Sequence, residues 1–198
     1  RGYNIHDLAR HATFEEIIYL LWFDKLPNRT ELAQLHSKLA AQRTIPAPVM
    51  EVIRLLPKNS DPMDVLRTAV SAWGALSVSG TPTQDQAIAL TASFPAFLAA
   101  FQRLRNGKEP LESRPELGHA ANYLYLLTGE EPKEEHVQGL NSYLVLLADH
   151  GMNASTFTGR VIASTGSDIA SSVTGAIGAL KGPLHGGAPS KVLDMLHD

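Results

Sequence analysis

Apolar residues along this chain recur at spacings of three and four, and no stretch alternates with period two. The pattern predicts helices throughout and no strands. After an entry loop, Arg1–Asn4, Thr13-x-x-Glu16 reads as a capping box, with Ile17, Leu20 and Leu21 forming an apolar face that Pro27 ends. A second helix runs from Thr30 to about Arg43 through Leu32, Leu35 and Leu39. Pro46 and Pro48 open a short helix carrying Val52, Ile53 and Leu56. Asp61-Pro62, a cap followed by proline at the first helical position, launches a helix to about Val78. The longest helix runs from Pro82 to about Asn106 with Pro95 inside it. After a polar loop over 107–115, two more are expected over Pro115–Thr128 and Pro132–His150.

The last third has another texture, since eight of the 15 glycines fall in the final 48 residues. Helices are expected over Ser155–Ser164 and Asp168–Leu180, with a last one over Pro189–His197. Ser171, Gly175, Gly178 and Gly182 line up on one face of the Asp168–Leu180 helix. A helical glycine costs up to about 1 kcal/mol relative to alanine, so this bare face predicts close contact with another helix. The fold class is all-α, a multi-helix bundle of about ten helices.

Two histidines stand beside helix breaks. Leu140, Leu144 and Leu147 form a stripe that His150 continues, so His150 is expected to point inward, with Gly151 stopping the helix. Asn153 or Ser155 can cap the helix that follows. Gly182-Pro183 stops the later helix, and Gly186-Gly187 after His185 is expected to let backbone approach a ligand. On this pattern alone His150 reads as a core or helix-end histidine, and His185 divides evenly between a structural and a functional role. His6, His11, His36, His119, His136 and His197 show no convergent partners, and His119 reads as packing or surface. Asp168 is most simply a cap and Arg160 a structural helical residue.

Composition narrows the classes. The chain has 198 residues, 44% hydrophobic and 19% charged, the make-up of an ordinary globular protein that can bury a core. A net charge of −3 without a basic block argues against binding a phosphate backbone. Without cysteine there are no disulfides, thiolate metal sites or cysteine nucleophile, which fits a cytoplasmic location. No His/Asp/Glu set has metal-site spacing. Uninterrupted apolar runs fall short of the roughly 20 residues a membrane span needs, and no signal peptide opens the chain.

Asp149-His150-Gly-Met-Asn153-Ala-Ser155-Thr-Phe, Ser164-Thr-Gly-Ser-Asp168 and Ala176-Ile-Gly-Ala-Leu-Lys-Gly-Pro-Leu-His185-Gly-Gly-Ala closely resemble the citrate synthase family. So do Arg1-Gly2-Tyr3 and Asn122-Tyr-Leu-Tyr-Leu-Leu-Thr-Gly129-Glu-Glu-Pro, and the similarity runs along nearly the whole chain. It implies condensation of acetyl-CoA with oxaloacetate, with no metal or redox cofactor, in a homodimer. It implies that His185 donates to the thioester oxygen as the enolate forms and that His150 binds oxaloacetate. It assigns Ser155 to orienting His185, with a helix cap as an equal alternative. Asn153 becomes a pocket residue with the same alternative. The family's catalytic aspartate, Gly-x-Gly-His segment and carboxylate-binding arginines are expected beyond Asp198. Residues 1–185 would then be most of the large domain, 186–198 the start of the small one, and the segment alone inactive. The alternatives are a 2-methylcitrate synthase using propionyl-CoA and, in another class, a non-catalytic helical dimerisation module.

Overall fold

The computed structural model describes residues 1–77 and 80–186, and among these every regular element is an α-helix. In chain order they are α1 (Ile5–His11), α2 (Phe14–Phe23), α3 (Arg29–Ala41), α4 (Ala47–Leu55), α5 (Pro62–Ser77), α6 (Gln84–Arg105), α7 (His119–Thr128), α8 (Glu134–Leu147), α9 (Ala154–Ser164) and α10 (Ile169–Leu180). The expected end at Val78 and the expected helix over Pro189–His197 lie outside the described residues. The helices group into two compact units, Arg1–Ile45 with Thr91–His150, and Pro46–Leu90 with Gly151–Asp198.

In the first unit the Thr13–Glu16 capping box forms as expected, and Asn28–Glu31 supplies a second one for α3. The sequence reading missed α1, whose Leu8 and Ala9 are only half-buried and whose apolar stripe is too short to stand out. Ile17, Leu20 and Val145 form one core cluster with Leu8, Ala12 and Leu26 around it. Ala96, Ala99 and Leu126 form another, against Ile45, Leu111 and Tyr123.

The join of α1 to α2 is stitched to α8. Asn141 donates to the Ala12 carbonyl at 2.9 Å and accepts from the Phe14 amide at 2.8 Å, while Ser142 donates to the Ala9 carbonyl. These contacts satisfy groups that helix ends leave orphaned, and they turn the Asn141–Ser142–Val145 face of α8 inward. The stripe expected to point inward does so only in part, since Leu140 and Leu144 are half-buried. Leu147 is exposed, α8 ends there, and His150 is exposed three residues later.

α7 begins at His119 rather than Pro115. Arg43 holds the preceding turn by donating to the Arg114 and Leu117 carbonyls at 3.1 and 2.8 Å. Gly118 has no side chain to cap α7, and the Glu15 carboxylate does so from α2, accepting from the His119 amide at 2.6 Å.

α6 continues on both sides of Pro95. At 22 residues it is, among the described residues, the helix long and apolar enough to cross a bilayer, but 56% of its apolar window is buried inside the protein, as in a core helix.

In the second unit α10 packs on both α9 and α5, and α4 packs on α5. α4 turns Val49 and Ile53 inward, not Val52 and Leu56. Val65, Ala69 and Val70 of α5 are fully buried, and Trp73 nearly so. Small residues permit the close approach: a Cβ on Gly74 of α5 would overlap the Cβ of Ala170 on α10, and one on Gly175 of α10 would overlap Ile162 of α9. The bare face of α10 is thus used in part. Gly175 meets a neighbouring helix, whereas Ser171 and Gly178 are exposed, and Gly178 has only the Arg67 side chain nearby. The expected contact, which could also lie across a dimer interface, is met within the chain at Gly175, and the exposed Ser171 and Gly178 leave the rest of the face to such an interface.

Candidate active site

The connection 148–153 leaves α8 through Gly151, whose φ of +69° lies in the left-handed region where glycine is at ease. It delivers Asn153 as the N-cap of α9. The Asn153 side chain accepts from the Thr156 amide at 2.9 Å, and its carbonyl accepts from Phe157. Ser155 is not the cap. It is the second residue of the helix, and its amide is one of the orphan donors of the first turn.

That donor is used by His185. The Ser155 amide donates to Nε2 of His185 at 3.3 Å, and the Ser155 hydroxyl, whose one proton can serve either neighbour, lies 2.9 Å from the same nitrogen and 2.7 Å from Asn153 Oδ1. Three of the four residues singled out by sequence thus form one chain, Asn153–Ser155–His185, half-buried throughout. A backbone amide can only donate, so Nε2 presents its lone pair and a neutral ring carries its proton on Nδ1. This tautomer is assigned from the hydrogen-bond network. The arrangement is an imidazole held from behind at Nε2, with Nδ1 on its other side.

His185 arrives from α10. Beyond Leu180 the chain turns through Gly182-Pro183, with the His185 amide bonded to the Gly182 carbonyl and the Gly186 amide to the Leu180 carbonyl, each at 2.9 Å. A Cβ on Gly186 would overlap the Leu180 carbonyl, so its bare backbone is taken up by the chain's own helix end rather than by a ligand. Gly187 lies outside the described residues. Leu184 is fully exposed at the tip of the turn.

His150 is exposed at the end of the first unit and has its ring available to a ligand. Asp168 caps α10, accepting from the Ser171 amide at 2.8 Å and the Ser171 hydroxyl at 2.7 Å, which holds its carboxyl below the usual range. Arg160 is exposed. His119 is buried against Phe14, with the ring centroids 5.1 Å apart; burial pushes its pKa down to about 4, against the opposing charge of Glu15.

Two clefts lie elsewhere. One of about 520 Å³ is lined by Ser71, Gly74, Asp168 and Thr174, and one of about 550 Å³ by Arg10, Glu15, His119 and Asn141. Among the described residues no three His, Asp or Glu side chains converge as a metal donor set.

One pair that bears on the site had no sequence signal. Asp64 and Lys181, 117 positions apart, form an ion pair at 2.5 Å.

A family model described as "Citrate synthase, C-terminal domain" matches residues 1–198. The chain is 48% identical over 201 residues to "Citrate synthase 2" of Bacillus subtilis, covering 98% of this chain and 54% of the relative. It is 42% identical to a 2-methylcitrate synthase of Mycobacterium tuberculosis, covering 99% of this chain and 51% of the relative. Among solved structures it resembles a citrate synthase of the thermophilic archaeon Thermoplasma acidophilum in ternary complex with carboxymethyl coenzyme A and oxaloacetate. That match has a TM-score of 0.90 at 33% identity, covering 94% of this chain and 50% of the other. The chain spans about half the length of these relatives.

Proposed function

The chain belongs to the citrate synthase family, and from that premise we propose that the protein condenses acetyl-CoA with oxaloacetate to give citrate and CoA. The observation that carries the reading is the His185 ring met at Nε2 by the Ser155 amide and hydroxyl, which in a neutral ring leaves Nδ1–H to donate. The α-protons of a thioester are too weakly acidic to be lost at neutral pH unless a fixed donor meets the developing oxyanion. A neutral imidazole does this without surrendering a full proton, and the Asn153–Ser155 chain supports it from behind. Ser155 acts as the orienting residue and Asn153 holds Ser155. His150 binds oxaloacetate through a carboxylate or carbonyl oxygen, and its exposure leaves it accessible for that. The base that removes the α-proton is assigned, by family resemblance, to an aspartate outside residues 1–198.

On the same footing we place residues 1–185 in a large helical domain, with a small domain beginning at 186. We also assign the protein to the cytoplasm and to a homodimer. No cofactor is invoked beyond acetyl-CoA as substrate. Fractionation tests the location and sedimentation at micromolar concentration the dimer.

The similarity to a 2-methylcitrate synthase favours one second reading, use of propionyl-CoA. Acyl-chain discrimination rests on pocket volume and is worth only about 1–3 kcal/mol per methylene. The test of both is CoA release by the full-length protein from each thioester, with and without oxaloacetate. Oxaloacetate-dependent release faster with acetyl-CoA is expected; faster release with propionyl-CoA supports the second reading. No oxaloacetate-dependent release from either refutes condensation and leaves the non-catalytic module.

A further inference from the structure

The turn that carries His185 hangs on the end of α10, and that end is held by charge. Lys181, the first residue past the helix, places its ammonium 2.5 Å from Asp64 Oδ2, and Arg67 stands 2.9 Å from the other carboxylate oxygen. Asp64 sits in the first turn of α5, where Asp61 caps the Met63 amide and Thr68 donates to the Asp64 carbonyl. The Arg67 stem lies beside Gly178, at a distance where a Cβ would make ordinary contact with it. Among the described residues the backbone from Gly182 to Gly186 bonds to α10's last residues and to itself, and the His185 ring is held by Ser155 of α9. Gly182 bonds to Ala179, His185 to Gly182 and Gly186 to Leu180. A displacement of the α10 end is therefore passed along this turn toward the imidazole four residues later, where it competes with the Ser155 bonds.

We propose that the Asp64–Lys181 ion pair is a positioning device for His185, locking the end of α10 to the start of α5 so that Nε2 meets Ser155. The proposal rests on the role given to His185 above. The pair is about one-third exposed on each side, so its contribution to stability is small and its consequence is geometric. The hydrogen bond from Lys181 holds the Asp64 carboxyl below the usual range, which keeps the pair ionised at neutral pH. Lysine at a helix C-terminus and aspartate in a first turn are each favourable alone. The device therefore differs from two separate helix-end charges by being one unit.

The experiment uses the full-length protein with Lys181→Met, Asp64→Asn, both together, and Lys181→Arg. Lys25→Met serves as a control, breaking a comparable exposed pair with Glu31 at 2.6 Å. Kinetics, melting temperature and the ¹⁵N resonance of His185 Nε2 are followed. Each single loss is expected to lower kcat by about 10- to 100-fold, the scale of a misplaced catalytic group, with KM for oxaloacetate within about twofold. The double variant should be no worse than the poorer single, because the pair acts as a unit. Lys181→Arg should restore most of kcat, and Lys25→Met should leave it unchanged. The Nε2 resonance should move away from its hydrogen-bonded position in Lys181→Met and Asp64→Asn. Undiminished kcat in both singles, fully additive losses, or an equal loss in Lys25→Met would overturn the proposal. If the wild type releases no CoA, the condensation reading fails by itself. The resonance then decides, an unchanged Nε2 shift in Lys181→Met overturning the positioning role and a moved one sustaining it.

Discussion

His119 should make the protein acid-labile well above the pH at which carboxylates protonate. Its ring is 6% exposed, packed on Phe14 at the first turn of α7, where the helix dipole also opposes a positive charge. Burial lowers its pKa from 6.5 to about 4; the Glu15 carboxylate works against this, and the Arg43 guanidinium adds to it. In the unfolded chain the same ring protonates near 6.5. Between pH 6.5 and 4 the unfolded state therefore binds the extra proton and the folded state does not, so stability falls as pH falls through this window. Each pH unit costs about 1.4 kcal/mol, and the whole interval about 3 kcal/mol. His119→Phe keeps an aromatic ring against Phe14 and leaves the Glu15 bond to the backbone amide in place, but removes the titration. The assay is urea unfolding of both proteins at pH 7, 5.5 and 4, taking wild type minus variant so that the carboxylates cancel. That difference is expected to shift by about 3 kcal/mol against the wild type on going from pH 7 to 4. Packing strain in the variant offsets the curve but does not change its slope. A flat difference, or a His119 ring that titrates near 6.5 by NMR, refutes the reasoning.

Gly74→Ala should destabilise the protein by about 1–3 kcal/mol, because its Cβ meets the rigid Cβ of Ala170, whereas Gly178→Ala should be neutral or stabilising by up to about 1 kcal/mol; urea midpoints compare the two. His185→Ala in the full-length protein should lower turnover by about 100-fold or more while oxaloacetate binding changes little, and near-normal turnover removes the role proposed for it. His150→Ala should weaken oxaloacetate binding by about 1.5–3 kcal/mol in calorimetry, and unchanged affinity would make it a structural residue.

Helix content was legible because most of these helices bury one face, and spacing alone reveals such a face. Local caps were legible for the same reason: Thr13-x-x-Glu16 and Asp168 sit next to the groups they satisfy. Asn28-x-x-Glu31 had the same form and could have moved the start of α3 to Arg29. What could not be read were choices made at long range. The inward face of α8 is fixed by Asn141 and Ser142 reaching α1 and α2, about 130 positions earlier, and a polar pair outweighs the Leu140–Leu147 stripe. The start of α7 is set by Arg43 and Glu15, whose partners are backbone groups of no particular sequence. α1 fully buries no residue, and its signal was confined to the short Ile5, Leu8, Ala9, Ala12 spacing.

The same division explains why the residues of this cluster could be singled out but their geometry could not. His185 and Asn153 announce themselves by glycine and cap chemistry in short stretches of chain. The bond that joins them depends on an unspent amide. Asn153 caps α9 at Thr156, which leaves the Ser155 amide without a helical partner, and only an acceptor from elsewhere can use it. His185 supplies that acceptor, and by doing so commits its own proton to the opposite nitrogen. A cap residue on one helix thus sets the tautomer of a histidine on the turn after another. The corollary is that replacing Asn153 acts on His185 without touching it. Asn153→Ala frees the Thr156 amide to compete for the Ser155 hydroxyl, and the resulting loss should appear in kcat rather than in oxaloacetate affinity.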